Sequence, residues 1–381
     1  MGTNYICPRC GNSDPNYIGF LKGKPYCRFC ISMQGKSAEV KDSHNKTIVM
    51  KLGYNLSREQ LKLSDRIVSN YKNKIDTLVN AVCGAGKTEL VYQVIAYCLS
   101  IGQKVAFAVP RRDVVIELYS RIRGVFADNY VVSIYGGHCE KLEGDIVVLT
   151  THQLYRYDKY FDLLILDEID AFPFKNNKLL EAMVFRAIKG RVIMMSATPS
   201  KDVIDYFNQD NREVLELNTR FHKHALPVPI VVKRIGIDKL IYLVQTLKKY
   251  IATGKKVFVF APTIAKCEFI YKSIKILVKN GTFLHSKCKD RNEKILDFKK
   301  GLYDYFVTTA VLERGVTFKN LQVIVYDADN DLYNAETLIQ IAGRVGRKID
   351  APTGEVIFLV NKETDEIRRA ITTIKSKNKH L

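Results

Sequence analysis

Residues 81–88 read Ala-Val-Cys-Gly-Ala-Gly-Lys-Thr, between an apolar run, Thr77–Val82, and a second apolar stretch, Val91–Leu99. The first run is short and mostly apolar without a strict alternation, as a buried strand is. The second is long enough for a helix. A glycine-bearing turn joining such a strand to such a helix is a phosphate loop. Gly84 and Gly86 let the backbone amides curl around phosphate oxygens, and the helix N-terminus behind them favours negative charge. Lys87 then reaches the β- and γ-phosphates, and Thr88 offers a hydroxyl to Mg²⁺. Ala81 and Ala85 complete the predicted ATP-binding loop. The general pattern is G-x-x-x-x-G-K-[ST], and Ala81 stands where that pattern has its first glycine.

The same rhythm runs outward from this loop. Further predicted strands are Lys104–Val109, Val131–Tyr135, Asp145–Thr150, Phe161–Leu166 and Val192–Ser196, with a helix over Val114–Ile122. Continuous apolar strands alternating with helices indicate a doubly wound parallel sheet. After Pro227 and Pro229 a second series begins. Its predicted strands are Val257–Ala261, Thr282–Leu284, Tyr305–Thr308, Val323–Asp327 and Val356–Val360. Its helices are Lys239–Ile251, Lys266–Val278, Arg291–Lys299 and Ala335–Ile341. Asn208–Lys223 reads as the connection, and the tail with Lys375, Lys377 and Lys379 as frayed. The expected divisions are 1–50, 51–210 and 211–381.

Chemistry gathers at the strand ends. Leu163–Leu166 delivers Asp167 and then Glu168, a carboxylate pair suited to hold Mg²⁺ through Asp167 and to activate the attacking water through Glu168. Ser196-Ala197-Thr198-Pro199 ends another strand. Near the C-terminus, Arg344 and Arg347 lie three residues apart, which on a helix brings both to one face, shared with Gln340. From a second domain they would act as arginine fingers on the γ-phosphate.

The first fifty residues carry a different signal. Cys7-x-x-Cys10 and Cys27-x-x-Cys30, sixteen residues apart, make two knuckles that fit one tetrahedral zinc. A segment this short buries too little apolar surface to fold unaided, so metal is its expected core. An iron–sulfur cluster or a redox pair is the competing use of the same spacing. Residues 1–51 hold eight Lys and Arg against three Asp and Glu. Tyr5, Tyr17, Phe20, Tyr26 and Phe29 are interleaved with Lys22, Lys24 and Arg28, a composition suited to phosphates and stacked bases, or, for any single ring, to packing in a very small core.

The whole chain, 381 residues long, carries 59 Lys and Arg against 40 Asp and Glu, a net +19. Such a surface attracts polyanions, nucleic acid before an acidic membrane. At 47% hydrophobic residues the chain is not a disordered one. No apolar stretch approaches the roughly 18–20 residues of a membrane span. The polar, cysteine-bearing N-terminus does not read as a signal peptide, and nine cysteines without an export signal argue against a disulfide scaffold. A cytoplasmic protein is expected.

Seven motifs follow in one order: AVCGAGKT; Pro110-Arg111-Arg112; Thr150-Thr151; DEID from Asp167; Ser196-Ala197-Thr198; TTAVLERGVT from Thr308; and QIAGRVGR from Gln340 to Arg347. Over about residues 55–360 the chain resembles superfamily 2 helicases, which implies two RecA-like domains that hydrolyse ATP between them. DEIDAFPF, TTAVLERGVTF and QIAGRVGR behind a four-cysteine segment resemble the ComFA family, late competence motors of Gram-positive bacteria. That resemblance implies an ATPase stimulated by single-stranded DNA, an N-terminal zinc, and uptake of transforming DNA in natural competence. It implies a place at the inner face of the membrane beside the DNA uptake channel, with ComFC and DprA as partners. It also implies an adenine contact at Gln60, a nucleotide contact at Gly315, and coupling through Ser196 and Thr198. Arg111, Thr150, Thr151, Thr308 and Thr309 occupy the motif positions for nucleic acid, where small hydroxyls and amides grip phosphates without reading bases. Two readings compete. One is a superfamily 2 helicase acting on DNA or RNA in replication restart or repair. The other is a zinc-bearing adaptor whose nucleotide only switches its conformation, against which Glu168, Arg344 and Arg347 speak.

Overall fold

A computed structural model of the chain describes residues 5–31, 36–39, 48–168, 178–309 and 318–379. The chain divides into two compact units. The first runs to Ala81 and from Gly86 to Leu217; the second takes in Val82–Ala85 and continues from Asn218.

The first unit opens with a small antiparallel hairpin, β1 (Ile18–Leu21) and β2 (Lys24–Cys27). Its two turn residues, Lys22 at φ 49° and Gly23 at φ 77°, are both left-handed, the backbone that a two-residue hairpin turn requires. Helix α1 (Arg58–Lys72) begins at a capping box: the Gln60 amide donates to Ser57 Oγ and the Ser57 amide to Gln60 Oε1. Then come β3 (Asp76–Ala81), α2 (Lys87–Leu90), α3 (Tyr92–Ser100), β4 (Val105–Val109), α4 (Arg112–Val125), β5 (Val131–Ile134), β6 (Ile146–Thr150), β7 (Phe161–Asp167), α5 (Lys178–Ala187), β8 (Ile188–Ser196), α6 (Lys201–Phe207) and β9 (Arg212–Leu217). The strands form one parallel sheet in the order β5-β6-β4-β7-β8-β3-β9. β4 and β6 are buried along their whole length, which explains their unbroken apolar sequence.

The expected connection 208–223 therefore contains a strand. β9 lies beside β3 because Glu213 is held from α1: Arg66 donates to both its carboxylate oxygens and Asn70 Nδ2 to one of them. This carries the first unit to Leu217, past the expected limit of 210.

The second unit contains β10 (Ile230–Lys233), α7 (Ile237–Ala252), β11 (Lys256–Phe260), α8 (Ile264–Ile274), β12 (Gly281–Leu284), α9 (Arg291–Lys300), β13 (Tyr305–Thr308), β14 (Leu321–Tyr326), α10 (Ala335–Ala342), β15 (Val356–Val360) and α11 (Asp365–Asn378). Its parallel sheet runs β10-β15-β14-β11-β13-β12. The tail is not frayed. α11 is capped by Thr364 Oγ1 and buries Ile367, Ala370 and Ile374, an i, i+3, i+7 stripe. Asn378 closes it with two hydrogen bonds to the Leu226 backbone. Among the described residues, no helix is long and apolar enough to cross a membrane.

Candidate active site and metal centre

In a parallel sheet all strands end on one side, so motifs at the ends of adjacent strands meet there. β7, β8 and β3 are neighbours, with Asp167 beside Met195 and Asn80 beside Ser196. The carboxylate pair, the Ser196 turn and the phosphate loop thus leave the same edge of three adjacent strands, each about 4.8 Å from the next.

Within the loop, Gly84 and Gly86 have φ of +86° and +79°. Both are left-handed, where a side chain is strained. A Cβ on Gly86 would also lie 2.5 Å from Gln60 Nε2, so the capping glutamine of α1 sits directly over the loop. Lys87 and Thr88 open α2, half-buried. Ala81 is the last residue of β3, extended and fully buried against Leu217's strand. Glycine's freedom is not needed there, and the loop keeps its positive-φ positions despite the departure.

Glu168 also has a left-handed backbone, φ 59°. Its amide donates to Asp167 Oδ1 at 2.9 Å and to Met195 O at 3.1 Å. For a residue with a Cβ this conformation costs of order 1–3 kcal/mol, a strain held where the carboxylates are aimed. Ser196 Oγ accepts from the Thr198 amide at 2.9 Å, and both residues are buried. This set of donors fits a Mg²⁺–nucleotide: amides at two positive-φ glycines, an ammonium, a hydroxyl and two carboxylates.

The residues expected to meet nucleic acid are mostly covered. Arg111 is half-buried at the N-cap of α4. Thr150 and Thr151 are buried where β6 turns into a short 3₁₀ segment, Thr151–Arg156. Thr308 is fully buried and its hydroxyl donates to Leu284 O at 2.8 Å, at the end of β13. Thr309 is buried as well. Gly315, with residues 310–317 of its motif and the 169–174 continuation of DEID, lies outside the described residues.

The arginine motif departs from the expected helix face. α10 ends at Ala342, with Gly343 as its C-cap. Arg344 and Arg347 stand on the tight turns that follow, where the Arg344 amide bonds to Ile341 O and the Val345 amide to Ala342 O. Gly343 and Gly346, the latter at φ 68°, end the helix. Gln340 is still helical and buried, Arg344 is buried, and Arg347 Nε donates to Gly343 O.

One residue that holds this turn is not legible in the sequence. Arg220 is 2% exposed; its Nη1 donates to Val345 O and Gly346 O at 2.9 Å each, and its Nη2 to Gly343 O at 3.3 Å. Burial, and then the Arg347 charge, push its pKa down to about 10, still protonated at neutral pH. Arg220 belongs to no motif, and only its packing shows its role.

The four N-terminal cysteines converge. Cys7 and Cys30 Sγ lie 3.6 Å apart, Cys10 and Cys27 3.7 Å, all four within 4.8 Å of one another and all buried. A tetrahedral zinc with Zn–S of about 2.3 Å has S···S edges of about 3.8 Å. The cluster fits it. The segment does not stand apart from the first unit: the cysteines share its core with Leu154, Tyr155, Leu180 and Met183. Backbone carbonyls at Lys36 and Arg9 accept from Arg156 and Arg186.

Two family models match this chain: "Type III restriction enzyme, res subunit" over residues 53–201 and "Helicase conserved C-terminal domain" over residues 238–348. It is 33% identical to the competence protein ComFA of Bacillus subtilis (strain 168), over 98% of this chain and 86% of that protein. It is likewise 33% identical to ComFA of Streptococcus pneumoniae (strain ATCC BAA-255 / R6), over 98% and 90%. Among solved structures, S. cerevisiae Dbp5 bound to RNA and ADP BeF3 superposes with a TM-score of 0.62 at 17% identity, covering 86% of this chain and 93% of that one. RecG bound to a three-way DNA junction superposes with a TM-score of 0.62 at 18% identity, covering 87% and 49%. Both likenesses show the fold.

Proposed function

The chain belongs to the ComFA family of superfamily 2 helicases, ATP-hydrolysing motors, and from that premise we propose that it drives transforming DNA into the cell during natural competence by translocating on single strands. The observation that carries the reading is the meeting of the phosphate loop, Asp167–Glu168 and Ser196 at one edge of β3, β7 and β8. Lys87 and the loop amides bind the phosphates, with Ala81, Ala85 and Gly315 completing the nucleotide contacts and Gln60 beside the base. Thr88 and Asp167 hold Mg²⁺, whose charge neutralises the phosphate oxygens. Glu168 orients the attacking water and takes its proton. Arg344 and Arg347 of the second unit, with Gln340, stabilise the charge that develops on the γ-phosphoryl group. Ser196 and Thr198 transmit its loss to the nucleic-acid contacts at Arg111, Thr150, Thr151 and Thr309. Thr308 shapes the strand end beside them.

Zinc at Cys7, Cys10, Cys27 and Cys30 supplies the cross-link that a segment this small needs. The protein works in the cytoplasm and at the inner face of the membrane. There the uptake channel, ComFC and DprA are its partners. The decisive assay compares ATP turnover with single-stranded DNA, duplex DNA and RNA in rising salt. Single-stranded DNA of any sequence should raise turnover several-fold, and the gain should fall steeply with salt. Equal or stronger stimulation by RNA would favour a helicase of restart or repair, and none by any nucleic acid a switch.

A further inference from the structure

The cysteine hairpin carries a feature outside the motor's motifs. Its register pairs Ile18 with Cys27, Gly19 with Tyr26 and Leu21 with Lys24. The pairing continues one residue further, where the Arg28 amide donates to Tyr17 O at 2.7 Å. Side chains alternate along a strand, so Lys24, Tyr26 and Arg28 share one face and the buried Cys27 points to the other. The buried face belongs to the sulfur cluster and the core beneath it. The Lys24–Tyr26–Arg28 face is turned away from that core.

Tyr26 faces a residue without a side chain. A Cβ on Gly19 would lie 2.5 Å from the Tyr26 ring, so the ring lies across the hairpin in the space that glycine leaves open. Lys24 and Arg28 are both exposed, each about 6.8 Å along the strand from Tyr26. Lys22 is exposed at the turn, and Tyr17 on the same face is 43% exposed. Among described residues 5–31 the one acid is Asp14, whose carboxylate accepts from the Asn16 amide.

We propose that this face, Tyr26 between Lys24 and Arg28, is a binding site for single-stranded nucleic acid, with a base stacked on the ring and backbone phosphates held by the two cations. Charge complementarity selects a polyanion. The aromatic ring between the cations selects one with unpaired bases, because a duplex does not offer its base faces for stacking. The site deepens the motor reading and rests on it: it gives the motor a second, sequence-independent hold on its strand.

The test uses the full chain, zinc-loaded, with a fluorescent oligo(dT) of about 16 nucleotides titrated at several salt concentrations. Lys24→Ala/Arg28→Ala changes only exposed side chains. It should weaken binding about tenfold at low salt and lower the salt slope by about 0.7 for each lost contact. Tyr26→Ala should weaken binding about fivefold or more, while Tyr26→Phe keeps the stacking face and should stay within about twofold of wild type. Zinc content and ATP turnover without nucleic acid should not move in any variant. Unchanged affinity and salt slope in the double variant would overturn the site and leave the motor reading standing. So would loss of binding to phosphatidylglycerol vesicles with oligo(dT) affinity intact. A wild-type chain that binds no single strand at all would overturn the motor reading itself.

Discussion

The phosphate loop and the arginine turn are both glycine-punctuated segments beside a helix end, yet they are supported in different ways. The loop stands on the end of β3, an inner strand of the first sheet, and its neighbours Ser196 and Asp167 stand on β8, hydrogen-bonded to β3, and on β7, hydrogen-bonded to β8. Arg344 and Arg347 do not lie at a strand end. They follow the C-terminus of α10 on turns whose carbonyls are gathered from behind by the buried Arg220. A sheet edge positions groups through many shared hydrogen bonds. This turn leans on two side chains, Arg220 and His222, whose Nε2 lies 2.9 Å from Gly346 O. The loop should therefore fail only when a reacting group is lost, and the turn when either a reacting group or its support is lost.

The largest effect tests the loop. Lys87→Ala should reduce ATP turnover to background while circular dichroism and thermal melting stay those of wild type, because one half-buried ammonium goes and the sheet remains. A folded variant with normal turnover would take Lys87 out of the site.

Next, Arg344→Ala or Arg347→Ala should lower kcat by roughly 10³-fold, with ATP affinity much less affected. Single-turnover rates beside nucleotide-binding titrations separate the two. If both variants keep full turnover, the turn takes no part in hydrolysis and the comparison collapses.

Arg220→Ala then asks whether support alone matters. Misplacing the turn by about 1 Å should lower kcat by roughly 10²-fold. KM for ATP should stay near wild type. Arg220→Lys should restore little, since an ammonium cannot reproduce the planar fork that reaches three carbonyls. Combined with Arg344→Ala, the loss should be less than the product of the two single losses. A full product would mean that Arg220 acts independently of the turn.

The smallest effect sharpens the contrast at the edge of the first sheet. Burial would raise the Glu213 carboxyl, but its hydrogen bonds from Arg66 and Asn70 outweigh this and hold its pKa below the ordinary value. A lowered folded pKa contributes stability that is present above the unfolded pKa and is lost as pH falls through the folded one. Glu213→Gln should therefore melt a few degrees below wild type at neutral pH, and the gap should close as pH falls through the lowered carboxyl pKa. A gap independent of pH would place its origin in packing instead of charge.

Much of this arrangement was legible along the chain. Thr77–Val82 and Phe161–Leu166 are mostly apolar, broken by Asn80 and Asp162, because their strands lie largely buried in the parallel sheet, and AVCGAGKT and Asp167–Glu168 mark the ends of those strands. The sequence does not show that Arg344 and Arg347 lie past the helix, since a three-residue spacing says nothing of where a helix ends. β9 reads as connection because its pattern, Arg-Glu-Val-Leu-Glu-Leu, is half polar, and only Arg66 and Asn70 on a distant helix make that polarity fit a strand. α11 does not stand out in the sequence because its lysines outweigh a three-residue apolar stripe that only the folded second unit reveals as buried.

The sequence by itself determined the phosphate loop, the carboxylate pair, the four-cysteine spacing and the alternation of strand and helix. Each is a local pattern, set by residues a few positions apart that obey backbone geometry and hydrophobic periodicity. Tertiary structure alone decided the strand order that aligns three motifs on one edge, the seating of the cysteine segment in the first unit's core, and the burial of Arg220 behind the arginine turn. These depend on groups more than a hundred residues apart along the chain meeting in space, as Arg220 meets Gly346 and Arg186 meets Arg9. No local pattern encodes such meetings, because their energy comes from desolvation and hydrogen bonds that exist only once the core has closed.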